Sequence, residues 1–172
     1  LSLLYTSISK TYGDTPMSLS NLVSTNSSGV LLFSSSNTSV ATISGNMLTI
    51  VGAGTSTINV TLGSSSNYIE ASTTISLSVN KAIPNLSLSS STITKTYGDA
   101  PFSLSNFVST NSQGVLSFTS NDSSIATISG NMLTIVGAGT STITVTQGSS
   151  SNYIGASTSI PLVVKKLSPS LT

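Results

Sequence analysis

The sequence predicts an all-β chain of two tandem β-sandwich domains with about seven strands each, and three observations carry that prediction. Residues 1–85 align on residues 86–170 without a gap, with 60 identical positions, so the repeat period is 85 residues. A period that long is a whole domain per copy, not one turn of a solenoid. Within each copy, apolar residues alternate with Ser and Thr, the period of a strand with one buried face. Gly, Pro, Asn and Asp then break the chain into short runs at the spacing of a two-sheet sandwich.

Taken in order, residues 1–9 alternate weakly and Tyr12-Gly13-Asp14 makes a turn. Pro16 restarts an extended segment through Met17 and Leu19 to Val23, followed by a loop over 25–29. A strand over 30–34, a turn over 35–39 and a strand over 40–43 lead to a Gly45-Asn46 turn. Residues 44–58 read SGNMLTIVGAGTSTI and recur letter for letter at 129–143. We read this stretch as a hairpin of strands 47–51 and 55–61. The Gly52-Ala53-Gly54 turn between them calls for positive φ, and the rest of the domain is expected to pack around the pair. A loop over 62–67 reaches Tyr68, and a strand over 73–79 closes the copy.

Differences between the copies predict which side of each strand faces in, because only the outward side tolerates a change of polarity. Leu32 becomes Ser117, Asn59 becomes Thr144 and Ser78 becomes Val163. Leu31, Phe33, Ile58, Val60, Leu77 and Val79 are unchanged in Leu116, Phe118, Ile143, Val145, Leu162 and Val164, and these are the expected core. Tyr12 and Tyr68 are expected to cover the sandwich ends. Ser76 becomes Pro161, which lacks an amide donor, so the last strand is expected to be an edge or bulged there. The domains are expected at 1–85 and 86–170, with semi-rigid proline-containing linkers over about 80–85 and 165–170 and the start of a third copy at 171–172. With neither an initial Met nor a leader-like segment the chain reads as a fragment or a processed product, and the repeat phase of its ends leads us to expect a longer tandem array.

Composition narrows the chemistry. The chain holds 41 Ser and 25 Thr among 172 residues, five Lys, four acidic residues and no Arg, His, Cys or Trp. A formal charge of +1 supplies no basic stripe for nucleic acid. Disulfide staples are excluded, and no apolar run reaches the roughly 18 residues of a membrane-spanning helix. So little charge also permits lateral self-association. Without His or Cys the usual bases and nucleophile partners are missing, and the four carboxylates form no repeated pair: Glu70 becomes Gly155, and Asp122 replaces Asn37. We therefore expect neither a catalytic site nor a cofactor.

Several positions remain as candidate sites. Asp14 and Asp99 recur in a Tyr-Gly-Asp turn and are candidate Ca²⁺ ligands, although calcium takes six to eight oxygens and only one carboxylate is local. The alternative is an Asx-type turn in which the carboxylate accepts backbone N–H groups. Lys10, near Asp14, is read as a surface lysine rather than one half of a Lys–Asn crosslink. Tyr5, Tyr68 and Tyr153 are candidates for stacking on a glycan or contacting a receptor, against the reading that they cap the sandwich. Sequons stand at Asn26, Asn37, Asn59, Asn85 and Asn121.

On residues 35–58, SSNTSVATISGNMLTIVGAGTSTI, and on KTYGDAPFSL at 95–104 with Asn152-Tyr153 downstream, the chain resembles bacterial immunoglobulin-like tandem repeats of the Tyr-Gly-containing type. Phe33 and Phe118 stand where many such repeats carry Trp. The resemblance implies an immunoglobulin-like sandwich and, for function, a non-catalytic stalk, spacer, adhesin or fibre segment. The expected setting is extracellular, on a cell surface, an appendage or a virion. Expected partners are neighbouring copies of the same repeat, with a glycan or receptor as the alternative.

Overall fold

A computed structural model describes residues 1–169, so the expected third-copy start at 171–172 lies outside the described residues. The chain divides into two compact units, one over residues 1–82 and one from Ile83 onward. Unit 1 contains β1 (Ser2–Leu3), β2 (Ser7–Thr11), β3 (Met17–Ser18), β4 (Val23–Ser24), β5 (Leu31–Ser35), β6 (Ala41–Ser44), β7 (Met47–Ile50), β8 (Gly54–Leu62) and β9 (Ala71–Asn80). Unit 2 repeats the series as β10 (Ser87–Leu88), β11 (Ile93–Thr96), β12 (Phe102–Ser103), β13 (Val108–Ser109), β14 (Leu116–Ser120), β15 (Ala126–Ser129), β16 (Met132–Ile135), β17 (Gly139–Gln147) and β18 (Ala156–Lys165). The fold is all-β, two tandem immunoglobulin-like sandwiches.

Each unit shows nine short strands where about seven are expected, because two expected segments divide. Residues 1–9 become β1 and β2, which join different sheets. Residues 16–23 are interrupted by a 3-10 turn over Ser20–Leu22, which buries Leu19 and Leu22 three positions apart.

In unit 1 a four-stranded sheet, ordered β2-β9-β8-β5, faces a three-stranded sheet, ordered β3-β7-β6, while β1 pairs with β4. Unit 2 has the same order, β11-β18-β17-β14 and β12-β16-β15 with β10 on β13. Pairing is antiparallel except at β2–β9 and β11–β18, where the first strand of the larger sheet runs parallel to the last.

The expected hairpin of 47–51 with 55–61 does not form. β7 pairs with β3 and β6, and β8 pairs with β5 and β9, so the Gly52-Ala53-Gly54 turn carries the chain from one sheet to the other. Leu48 of β7 and Ile58 of β8 both lie in one core cluster, which two opposed layers can fill. Within that turn positive φ falls on Gly54 (141°) and, in unit 2, on Gly139 (146°). The tight hairpin is the one before it: Ser44 of β6 stands opposite Met47 of β7 across Gly45-Asn46. Gly45 has φ 60° and the following Asn does not, the pattern of a type II′ turn.

Burial follows the expected alternation. Ile58, Val60, Leu77 and Val79 are buried, as are Phe118, Ile143, Val145, Leu162 and Val164, with Leu31, Phe33 and Leu116 half-buried against them. Leu32, Asn59, Ser78 and Ser117 face solvent, while Thr144 and Val163 are half-buried. The opposed layer adds core residues that a comparison of the copies does not single out, among them Leu19, Leu48 and Leu133. Tyr12 packs against the core, and Tyr68 is 46% exposed.

The last strand is not an edge. β18 lies between β11 and β17, yet β11 begins opposite Leu162, one residue beyond Pro161. In unit 1, β2 begins one residue earlier, at Ser7 opposite Ser76, and the Ser76 N–H donates to the Thr6 carbonyl at 2.9 Å. Proline has no such donor, and the ladder of unit 2 is shorter by that pair.

Candidate functional site

The repeated Tyr-Gly-Asp turn is built by the residues that end β2 and β11. Gly13 (φ 92°) and Gly98 (φ 94°) turn the chain back. The Asp14 N–H then donates to the Thr11 carbonyl at 3.0 Å while Asp14 Oδ2 accepts the Thr11 N–H at 3.0 Å. Asp99 and Thr96 repeat this exchange at 3.0 and 2.9 Å. Each carboxylate thus has one oxygen engaged with backbone, and the two aspartates stand in different units. Among the described residues no group of three or more His, Cys, Asp or Glu comes together.

Lys95 places its ammonium 4.5 Å from the ring centre of Phe102. A cation over an aromatic face is attracted by the ring's quadrupole. The equivalent pair in unit 1 is Lys10 and Met17, which cannot make that interaction.

Of the three candidate tyrosines, Tyr5 and Tyr68 belong to unit 1 and Tyr153 to unit 2. Tyr5 is 58% exposed in unit 1, and its counterpart in unit 2 is Ser90. Tyr68 and Tyr153 occupy equivalent loop positions but differ in surroundings. Tyr153 is half-buried, and its hydroxyl accepts the Asn111 side-chain N–H at 3.3 Å. Asn111 Oδ1 also accepts the Asn85 N–H at 2.7 Å, which ties residue 85 to this loop of unit 2.

A feature missed from sequence is the hydroxyl face of the larger sheet in unit 1. Strand registry sets Ser7 beside Ser76 and Ser76 beside Thr57, with Ser9, Ser78 and Thr55 in the next row. These side chains line a shallow groove of about 500 Å³. Alternating Ser and Thr in three strands is the sequence signal, but it becomes a surface only once the parallel registry is known. In unit 2 the same rows include Pro161 and Val163, so the array is specific to unit 1. Chemically the groove offers neutral donors and acceptors. No imidazole, thiol or carboxylate lines it, so it has no group for acid–base work.

Other hydroxyls brace the fold. On β8, Ser56 takes an inward position and is buried; its hydroxyl lies 2.8 Å from that of Ser35 and accepts the Asn37 N–H at 3.1 Å. In unit 2 the buried Gln147 replaces Leu62. Its Oε1 accepts the Thr110 hydroxyl at 2.7 Å, and its Nε2 donates to the carbonyls of Ser112 and Gly114. Among the described residues no buried side-chain nitrogen or oxygen lacks a partner.

These features define the class: two all-β sandwich units in tandem, with polar side chains that brace several of their turns. No family model and no curated protein matches the chain. Among solved structures it is similar to domains 1–6 of the surface layer protein SbsC, with 20% identity over 81% of this chain and a TM-score of 0.42. It spans 20% of the length of that chain. It is also similar to Drosophila N-cadherin EC1-3, with 9% identity over 94% of this chain and 64% of that one (TM-score 0.39). Human protocadherin-24 EC1-2 gives 11% identity over 95% of each chain (TM-score 0.37).

Proposed function

We propose that the chain is a non-catalytic structural repeat module of a long extracellular surface or fibre protein, in which each domain is a rigid spacer and copies in series set reach. The observation that carries this reading is the sameness of the two copies where a binding module would vary. The loop tips at 63–67 and 148–152 are identical in sequence, and each is tied by the same Ser-to-Tyr backbone bond, at 2.9 Å from Ser65 to Tyr68 and from Ser150 to Tyr153. The chain's carboxylates and lysines are few, and several of its polar side chains close turns or line a neutral face. Both suit a part whose work is geometric.

Electron microscopy of the native protein tests this. A thin single-file string beaded at one domain length, about 35 to 45 Å from strand rise, is the expected result. A thicker filament with a different axial repeat would overturn the spacer reading. It would point to lateral assembly, for which the exposed Val30 and Leu32 at edge strand β5 are the natural contact.

A further inference from the structure

We propose that the parallel pairing of first and last strands makes each unit a mechanical clamp loaded in shear, and that residue 161 sets the two clamps at different strengths. The proposal rests on the spacer reading for its biological use, since a spacer in series transmits whatever tension the array carries.

In unit 1 the chain enters the larger sheet at the start of β2 and leaves it at the end of β9. The two strands are neighbours and parallel, from Ser7 opposite Ser76 to Thr11 opposite Asn80. Entry and exit therefore lie at opposite ends of one ladder. Tension along the chain slides β2 and β9 past each other, so all the hydrogen bonds between them carry load together. An antiparallel terminal pair would place entry and exit at the same end and open one bond at a time. The outer β1–β4 pair spans only two residues on each strand, with one further bond from Leu4 N–H to the Leu22 carbonyl, so it gives way before the clamp.

The two clamps are not equal. In unit 1 the ladder is closed at one end by Ser76 N–H donating to the Thr6 carbonyl and at the other by Tyr12 N–H donating to the Asn80 carbonyl, each at 2.9 Å. A side-chain bond from Asn80 Nδ2 to Ser9 Oγ at 3.3 Å crosses the same pair of strands. Unit 2 keeps the second closure, Tyr97 N–H to the Lys165 carbonyl at 2.8 Å. Pro161 removes the donor for the first, and Lys165 stands in place of Asn80. Its ladder runs over four residues, Ile93 to Thr96, against five in unit 1.

Single-molecule force spectroscopy on the whole chain, pulled by its two ends, is the test. Two unfolding events at distinct forces are expected. Pro161→Ser, which installs the residue that unit 1 carries, should raise the lower force toward the higher one. Ser76→Pro should lower the higher force toward the lower one. Urea titration of the same variants separates mechanical resistance from equilibrium stability, and Pro161→Ser is expected to shift the force by more than its urea midpoint predicts. Equal forces in the parent chain, or an unchanged lower force in Pro161→Ser, would overturn the proposal even if Ser76→Pro fails to fold. Axial spacing by microscopy tests the spacer reading separately, so the two can fail independently.

Discussion

The hydroxyl of Ser141 lies 2.8 Å from that of Ser120, inside unit 2 and at the point where the chain leaves the larger sheet for the smaller one. The equivalent pair, Ser56 and Ser35, has the same 2.8 Å spacing. Ser141 also donates to Asn121 Oδ1 at 2.9 Å, and that oxygen accepts the Thr142 N–H at 2.7 Å, so one buried hydroxyl braces the start of the crossover. Ser141→Ala should destabilise unit 2 by about 1–2 kcal/mol, because it removes two side-chain hydrogen bonds from a partly buried site, although Asn121 Oδ1 keeps the Thr142 N–H and the Ser120 hydroxyl keeps the Asp122 carbonyl. The double variant Ser120→Ala/Ser141→Ala should lose less than the sum of the single losses, as read by urea titration.

Gln147 and Leu62 test whether the buried amide is needed. Each fills the last inward position of its strand, and the surrounding Thr, Ser and Gly at 110, 112 and 114 recur at 25, 27 and 29. Thr25 Oγ1 accepts the Ser27 N–H at 3.0 Å with Leu62 in place of the glutamine, as Thr110 Oγ1 accepts the Ser112 N–H at 3.1 Å in unit 2. Gln147→Leu should therefore stay within about 1 kcal/mol of the parent chain, whereas Gln147→Ala and Leu62→Ala should each cost about 2–4 kcal/mol through the cavity they leave. Thermal unfolding of the three variants checks the ranking.

Glycine is required most strictly where two backbones cross. A Cβ on Gly29 would overlap the Gly63 carbonyl oxygen, and one on Gly114 would overlap that of Gly148; in both cases the obstacle is main chain and cannot rotate away. Gly114→Ala should cost about 2–4 kcal/mol. At Gly13 the space is open and the cost lies in φ 92° alone, so Gly13→Ala should cost about 1–2 kcal/mol. Reversal of this order in denaturation midpoints would contradict the packing described here.

Strand faces were legible in the sequence because alternation has a period of two, and because the two copies act as a mutational comparison: Leu32 against Ser117 marks an outward site between the inward Leu31 and Phe33. Strand partners were not legible. Nothing local distinguishes a turn that folds β7 onto β8 from one that passes between sheets, since both need Gly at position 54. The 3-10 turn at 20–22 was hidden by its brevity, its signal being the spacing of three between Leu19 and Leu22. For the candidate sites, the bracing role open to Asp14 could be read from Tyr-Gly-Asp. The hydroxyl face could not, because its rows bring together residues as far apart as Ser7 and Ser76.

Acid should act on the two units differently through residue 122. The Ser124 hydroxyl donates to Asp122 Oδ1 at 2.6 Å and the Ser124 N–H at 2.9 Å, which hold the carboxyl below the usual carboxylate range. A carboxyl lowered on folding adds stability above its unfolded pKa and loses it as pH falls through the folded value. Asn37 accepts from Ser39 in the same way without a charge, at 2.6 and 3.2 Å. Asp122→Asn should thus keep the turn and remove this part of the acid sensitivity, seen as a flatter urea midpoint between about pH 2 and 5.

The ladder between β2 and β9 also decides when a unit can finish folding. It joins residues as far apart as Ser9 and Asn80, 71 positions along the chain, so it closes only after the last strand has been synthesised. In a tandem of similar copies this strand has a competitor, because β18 offers β2 the same inward residues, Leu162 and Val164, that β9 offers as Leu77 and Val79. Vectorial synthesis resolves the ambiguity: β9 leaves the ribosome before β18 exists, and the first copy is complete before its double can compete.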